Sequence, residues 1–154
     1  SEAAGFFLAL YSVMEYLSRE MVRDAEGSSK IFSVRVDGAR TREDARLAAR
    51  AIAASSLVKA AIHGNDPNWG RIVSCCGRAG VELVVGDITL GINGTLIYSE
   101  GVPVEYDEQA VSGAMRDDEQ VEIALSFPFG ESSARFWTCD LTTEYVRLNS
   151  EYTT

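Results

Sequence analysis

His63 is the only histidine in this 154-residue chain. A histidine acting as a general base needs a serine or cysteine partner, which spacing alone does not supply. Cys75 and Cys76 are adjacent in a run of small residues. No basic neighbour stands at a spacing that would lower a thiol pKa, so they read as inert core residues. Arg71 could pair bidentately with a buried carboxylate. Glu26 lies between a helical and a strand-like segment, where a carboxylate is ordinarily just solvated, and Lys30 is near enough to neutralise it. Asn149 and Thr154 lie in the C-terminal tail. An amide can donate and accept at once, as can a hydroxyl, and Thr154 adds the terminal carboxylate. A polar tail ordinarily frays, and Tyr152 could pin this one by burying its ring. Ser1 could serve as an N-terminal nucleophile. The run Ser1-Glu2-Ala3-Ala4 nevertheless reads as a helix cap.

The elements that must position these groups follow from periodicity and capping. Residues 3–23 read as one helix with a broad buried face, ending near Glu26-Gly27. Ile31 to Val36 alternates as a strand, and Asp37-Gly38-Ala39 turns the chain. Thr41 caps a helix from Arg42 to about Ser55, with Ala45, Ala48, Ala49 and Ile52 at helical spacing. Asn65-Asp66-Pro67 reads as a turn that becomes a helix start, Asp66 capping and Pro67 at the first helical position. Trp69 supplies packing area. Asn93-Gly94, between the apolar runs Ile88–Ile92 and Thr95–Tyr98, is a hairpin signal. Asp107 to Met115 reads as a short helix. Gln120–Phe127 and Ala134–Cys139 read as strands joined through Pro128-Phe129-Gly130. Asp140 caps a last helix from Leu141 to about Ser150, held to the body by Leu141, Tyr145, Val146 and Leu148. The fold class is α+β, with mostly antiparallel strands covered by helices.

Composition narrows the functions. Fourteen basic against 23 acidic residues give a formal net charge of −9. That balance opposes non-specific nucleic-acid binding and suits a cationic small substrate. Three cysteines without a CxxC pattern suggest neither a disulfide framework nor a zinc site, and point to a reducing compartment. The apolar run Phe6–Tyr11 is too short to span a bilayer and lacks the basic flank of a signal peptide. A cytoplasmic protein with no nucleic-acid or membrane partner is the expectation.

Several separated motifs, in order, resemble the ornithine acetyltransferase family (glutamate N-acetyltransferase, the bifunctional arginine-biosynthesis acetyltransferase). They are Val22-Arg23-Asp24-Ala25-Glu26-Gly27-Ser28-Ser29-Lys30, with Ala25 where glycine is usual, and Ile52-Ala53 through Leu57-Val58-Lys59-Ala60-Ala61-Ile62. Asp66-Pro67-Asn68-Trp69-Gly70-Arg71 and Gly77-Arg78-Ala79-Gly80 follow, then Cys139-Asp140-Leu141-Thr142 and Asn149-Ser150-Glu151-Tyr152-Thr153-Thr154.

The resemblance implies an N-terminal-nucleophile α/β sandwich. In that family a precursor cleaves itself, and the new N-terminal threonine carries the acetyl group from N-acetylornithine to glutamate in a ping-pong reaction. It implies that Glu26 faces the ammonium of ornithine, and that Asn149 and Thr154 fold back to hold the substrate. No catalytic residue is expected within these residues. The threonine and the oxyanion hole belong to sequence upstream, and Asp66 to Arg71 serve as scaffold. Residues 1–30 would complete the catalytic sandwich, and 31–154 would form a C-terminal α+β lobe of the β chain. The implied partners are the α chain of the same precursor and further αβ units in a homo-oligomer. No cofactor is implied, although acetyl-coenzyme A can be an acetyl donor in the family. An aminopeptidase-like N-terminal-nucleophile hydrolase and a diverged non-catalytic binding module are the rival readings.

Overall fold

The computed structural model describes residues 2–151. Ser1, Tyr152 and Thr154 lie outside the described residues. In chain order the elements are α1 (Glu2–Arg23), β1 (Ile31–Ala39), α2 (Arg42–Ala53), α3 (Ser56–His63) and α4 (Trp69–Gly77), then β2 (Thr89–Ile92), β3 (Thr95–Ser99) and β4 (Val102–Pro103), and last α5 (Glu108–Asp117), β5 (Gln120–Ser126), β6 (Ser132–Cys139) and α6 (Thr143–Glu151).

The strands form a six-stranded sheet in the order β4-β3-β2-β5-β1-β6. All its pairings are antiparallel except β1 with β5. β1 therefore lies between β5 and β6, two strands that follow one another in the chain. Phe32, Val34 and Val36 of β1 are fully buried, as a central strand requires. The hairpin between β2 and β3 turns on Asn93 (φ +46°) and Gly94 (φ +80°), the paired left-handed residues that a tight hairpin needs.

α2 packs on β1 and β6, with α3 and α4 against it. Its buried stripe is Ala45, Ala48, Ala49 and Ile52, all without exposed surface. Alanines at helical spacing let the helix lie close to the sheet. Thr41 caps it by accepting from the Asp44 amide at 3.0 Å. α4 carries Ile72, Val73, Cys75 and Cys76 inward, and Trp69 at its start stacks on buried Tyr98 with ring centroids 5.3 Å apart.

Three local expectations are corrected. Asp37-Gly38-Ala39 does not reverse the chain; β1 runs through it with a register shift against β6. Gly38, at φ +75°, bends the strand, and its carbonyl accepts from the Phe129 and Gly130 amides, so the β5–β6 connection is bound to the bend. Asp66 does not cap α4, and Pro67 stands outside the helix. Asn68 caps it, accepting from the Arg71 amide at 3.1 Å, while Asp66 accepts from the Asn68 side chain at 3.0 Å. The side chain nearest the helix start takes the free amide, and Asp66 orients it.

The third correction concerns α1. It is a helix as expected, but none of its residues is buried. Phe6, Phe7, Leu8, Tyr11, Leu17 and Met21 are among its exposed apolar side chains. The helix touches the body at β6, where the Arg19 guanidinium lies 4.9 Å from the Trp137 ring centroid and Glu15 pairs with Arg135 at 3.8 Å. These contacts use a narrow stripe, and the rest of the apolar surface has nothing against it among the described residues. No helix of the described residues is long and apolar enough to cross a membrane.

Candidate functional site

The end of β6 gathers the chemistry-bearing residues. Asp140 follows that strand, and its side chain is fully shielded from solvent. The Ser29 and Lys30 amides donate to its Oδ1 at 2.9 and 3.1 Å. The Ser29 hydroxyl donates to Oδ2, and His63 Nδ1 lies 2.9 Å from the same oxygen. A carboxylate offers about four lone-pair sites, and each oxygen here meets two donors. Burial alone would raise the Asp140 pKa. The hydrogen bonds from Ser29, Lys30 and His63 outweigh that and hold it below the ordinary carboxylate range.

A group whose folded pKa is depressed adds stability above its unfolded pKa, and that stability is lost as pH falls through the folded value. Asp140→Asn is therefore expected to flatten the acid limb of the stability curve below about pH 4. Urea unfolding at stepped pH measures it. Parallel curves for variant and native protein would show that Asp140 does not carry the acid sensitivity.

Asp140 was expected to cap the last helix, and it does not. Thr142 does so, accepting from the Tyr145 amide at 2.9 Å while its hydroxyl donates to the Gly27 carbonyl. Both residues can cap, and the one adjacent to the helix does. Asp140 is thereby free to turn inward onto the loop after α1.

That loop carries Glu26. Gly27 has φ +67°, and a Cβ there would stand 2.7 Å from the Tyr145 amide nitrogen. The glycine lets the loop backbone rest directly on the first turn of α6. Asn149, two turns from the start of α6, then sits beside Glu26. Its amide nitrogen is 3.5 Å from Glu26 Oε2 and donates to the Tyr145 carbonyl at 2.9 Å. Glu26 and Asn149, 123 residues apart in sequence, thus share one exposed corner. Thr154, the third expected member, lies outside the described residues.

α6 itself is held at its N-terminal end. Tyr145 and Val146, expected to bury against the body, are both exposed. The bonds through Thr142 and the close approach at Gly27 do the anchoring instead. Lys30 does not neutralise Glu26. Its ammonium donates to the Asn65 side chain and, at 2.7 Å, to the Met115 carbonyl. Desolvation lowers its pKa, and Asp140 nearby acts in the opposite sense.

The other candidates separate cleanly. His63 has a hydroxyl partner, since Ser29 Oγ lies 3.2 Å from its Nδ1. A hydrolytic triad needs carboxylate and hydroxyl on opposite ring nitrogens. Here both meet Nδ1, and the hydroxyl gives its proton to the carboxylate, so the trio anchors a loop and generates no nucleophile. Arg71 makes no bidentate carboxylate pair among the described residues; it donates to the Leu57 carbonyl at 3.0 Å and ties α4 to α3. Cys75 and Cys76 are buried in the core, and burial pushes the Cys76 thiol up to about 12. Arg78 lies 3.7 Å from Cys75 Sγ, a basic neighbour the sequence reading missed, but that residue is shielded from solvent. No cluster of three or more metal-ligating side chains occurs among the described residues.

Sequence reasoning gave Asp140 the role of a helix cap and gave Ser29 and Thr142 none, so it missed how these three residues hold the corner together. The available signal was the pair of cap-competent residues, Asp140 and Thr142, before one helix: only one could be the cap.

Comparison with known proteins follows the same lines. The ArgJ family model matches residues 1–154. The arginine biosynthesis bifunctional protein ArgJ of Prochlorococcus marinus is 42% identical over 153 residues, covering 94% of this chain and 36% of that protein. The glutamate N-acetyltransferase of Methanopyrus kandleri is 44% identical over 152 residues, covering 97% of this chain and 39% of that protein. The chain thus spans well under half the length of these relatives. The crystal structure of the arginine biosynthesis bifunctional protein ArgJ from Bacillus halodurans superposes with a TM-score of 0.93 at 34% identity, covering 97% of this chain and 70% of that one. A match over the whole chain, shared with the solved structure at the level of the fold, has one consequence: this chain belongs to the ArgJ family.

Proposed function

We propose that this chain is the C-terminal part of the β chain of a glutamate N-acetyltransferase that moves acetyl from N-acetylornithine to glutamate through an acetyl-threonine enzyme. The observation that carries the reading is the Glu26–Asn149 corner within a chain of this family. N-acetylornithine has a single ammonium, on its side chain. A carboxylate beside a side-chain amide can pair with that charge and accept its hydrogen bonds. Thr154 joins the pair as a third substrate ligand.

Under this reading the nucleophilic threonine, freed by autoproteolysis, and the oxyanion hole belong to sequence beyond these 154 residues. Residues 1–30 complete the catalytic sandwich with that sequence, and 31–154 form the C-terminal lobe. The exposed apolar surface of α1 supports this, because Phe6, Phe7 and Leu8 in water are unfavourable at roughly 25 cal/mol per Å². The α chain of the same precursor is the partner, the αβ units assemble into a heterotetramer, and the enzyme works in the cytoplasm. No cofactor is needed, and acetyl-coenzyme A is a candidate alternative donor.

The test is acetyl transfer from N-acetylornithine to isotope-labelled glutamate by the full-length protein, with mass spectrometry of its chains. Labelled N-acetylglutamate, formed by a protein that contains a chain starting with threonine, is the expected result. Acetate released to water regardless of glutamate would establish a hydrolase instead. Substrate binding with no acetyl chemistry would establish a binding module.

A further inference from the structure

Neither the Glu26 loop nor α6 has a buried apolar face of its own near the corner they share. Residues 25, 26 and 27–29 are half-buried or exposed, and α6 has no buried residue. The loop is instead bound to Asp140 and Thr142, and α6 to Thr142, within the short segment 140–142. Asp140 takes the Ser29 and Lys30 amides and the Ser29 hydroxyl, and its own amide donates to the Lys30 carbonyl at 3.1 Å. Thr142 joins the Gly27 carbonyl to the first turn of α6. The Leu141 amide donates to the Lys59 carbonyl at 3.3 Å, and His63 meets Asp140, so α3 braces the junction from behind.

We propose that Asp140 is a positioning residue for the ammonium end of the substrate, acting through Glu26. This inference rests on the acetyl-transfer reading above. A loop held by hydrogen bonds alone keeps its geometry only while each bond is made. The Asp140 carboxylate makes three of the bonds to Ser29 and Lys30, and its side chain is fully shielded from water. Glu26 itself is exposed, so its orientation is inherited from the loop behind it.

The consequence is selective. N-acetylornithine brings a side-chain ammonium to Glu26, whereas glutamate has a carboxylate at its side-chain end. In a ping-pong reaction kcat/KM for each substrate reports its own half-reaction. Ser29→Ala removes one hydroxyl bond, and Asp140→Asn keeps the shape while removing the charge. In the full-length protein both are expected to lower kcat/KM for N-acetylornithine about tenfold, the effect of losing one hydrogen bond to a charged group. kcat/KM for glutamate is expected to change less than about twofold on the same scale. Ser29→Thr keeps the hydroxyl and should restore donor use. Glu26→Gln combined with Asp140→Asn should be no worse than Glu26→Gln alone, because the two act through one group. Amide exchange at Gly27 to Lys30 should accelerate in Ser29→Ala and Asp140→Asn, while exchange in Phe32 to Val36 of β1 stays unchanged.

Equal losses in both half-reactions, additive effects with Glu26→Gln, or unaltered loop exchange would each overturn the proposal. A full-length protein without acetyl transfer would remove the substrate reading alone. Loop exchange in Asp140→Asn and Ser29→Ala would then still decide whether Asp140 positions Glu26.

Discussion

Glu26→Gln in the full-length protein is expected to cut kcat/KM for N-acetylornithine by about ten- to a hundredfold, while leaving the melting temperature within a degree or so of the native value. The kinetic loss follows from replacing a charge-assisted contact, worth on the order of 1.5–3 kcal/mol, by a neutral one. The unchanged stability follows from the structure. Glu26 is exposed and has no basic partner among the described residues, and glutamine keeps an oxygen to accept from Asn149 at its 3.5 Å separation. Steady-state kinetics with N-acetylornithine varied, beside a thermal melt, measure both. Native kinetics in the variant would return Glu26 to the role of a solvated loop carboxylate. A large drop in melting temperature would mean that the loop depends on Glu26 for its fold.

Asp140→Ala is expected to produce the opposite pattern, a loss of stability of about 2–4 kcal/mol. Removing the carboxylate leaves the Ser29 and Lys30 amides, the Ser29 hydroxyl and His63 without their acceptor. Fully buried orphans would cost about 1–3 kcal/mol each. Ser29 and His63 are exposed, so water replaces part of what is lost, and the expected total is correspondingly smaller. For a chain of this size that lowers the melting temperature by roughly 5–15 °C. A calorimetric or dichroism melt of native and variant protein checks it. A shift below a degree would show that water fully replaces Asp140, and that the loop is not anchored there.

The two substitutions differ because Glu26 and Asp140 occupy opposite sides of one short loop. One carboxylate looks outward and is available to a ligand. The other looks inward and is saturated by the loop's own donors together with His63. Gly27 lies between them, and its positive φ is what lets the loop touch α6 while presenting Glu26.

Local chemistry was legible in the sequence wherever a signal and its response lie within a few residues. The α2 stripe of Ala45, Ala48, Ala49 and Ile52, the Thr41 cap, the Asn93-Gly94 turn and the Asp107 start of α5 all appear as their spacing dictates. The mostly antiparallel sheet covered by helices also follows from those patterns. The motif order carried the family, because several short matches in sequence are far more specific than one.

Tertiary structure decided what depends on distant partners. Asp140 and Thr142 compete for one cap, and the loop folded against them, 111 residues earlier for Ser29, settles which turns inward. Insertion of β1 between β5 and β6 requires strands from both ends of the chain, and nothing within either segment encodes it. Periodicity made α1 amphipathic but could not say what covers its apolar side. A helix's pattern records which face avoids water, whereas burial requires a second surface. The same distinction governs the site. Residue type made Glu26 and Asn149 able to bind an ammonium, and only a fold that joins a loop to a helix from opposite ends of the chain could put them on one corner.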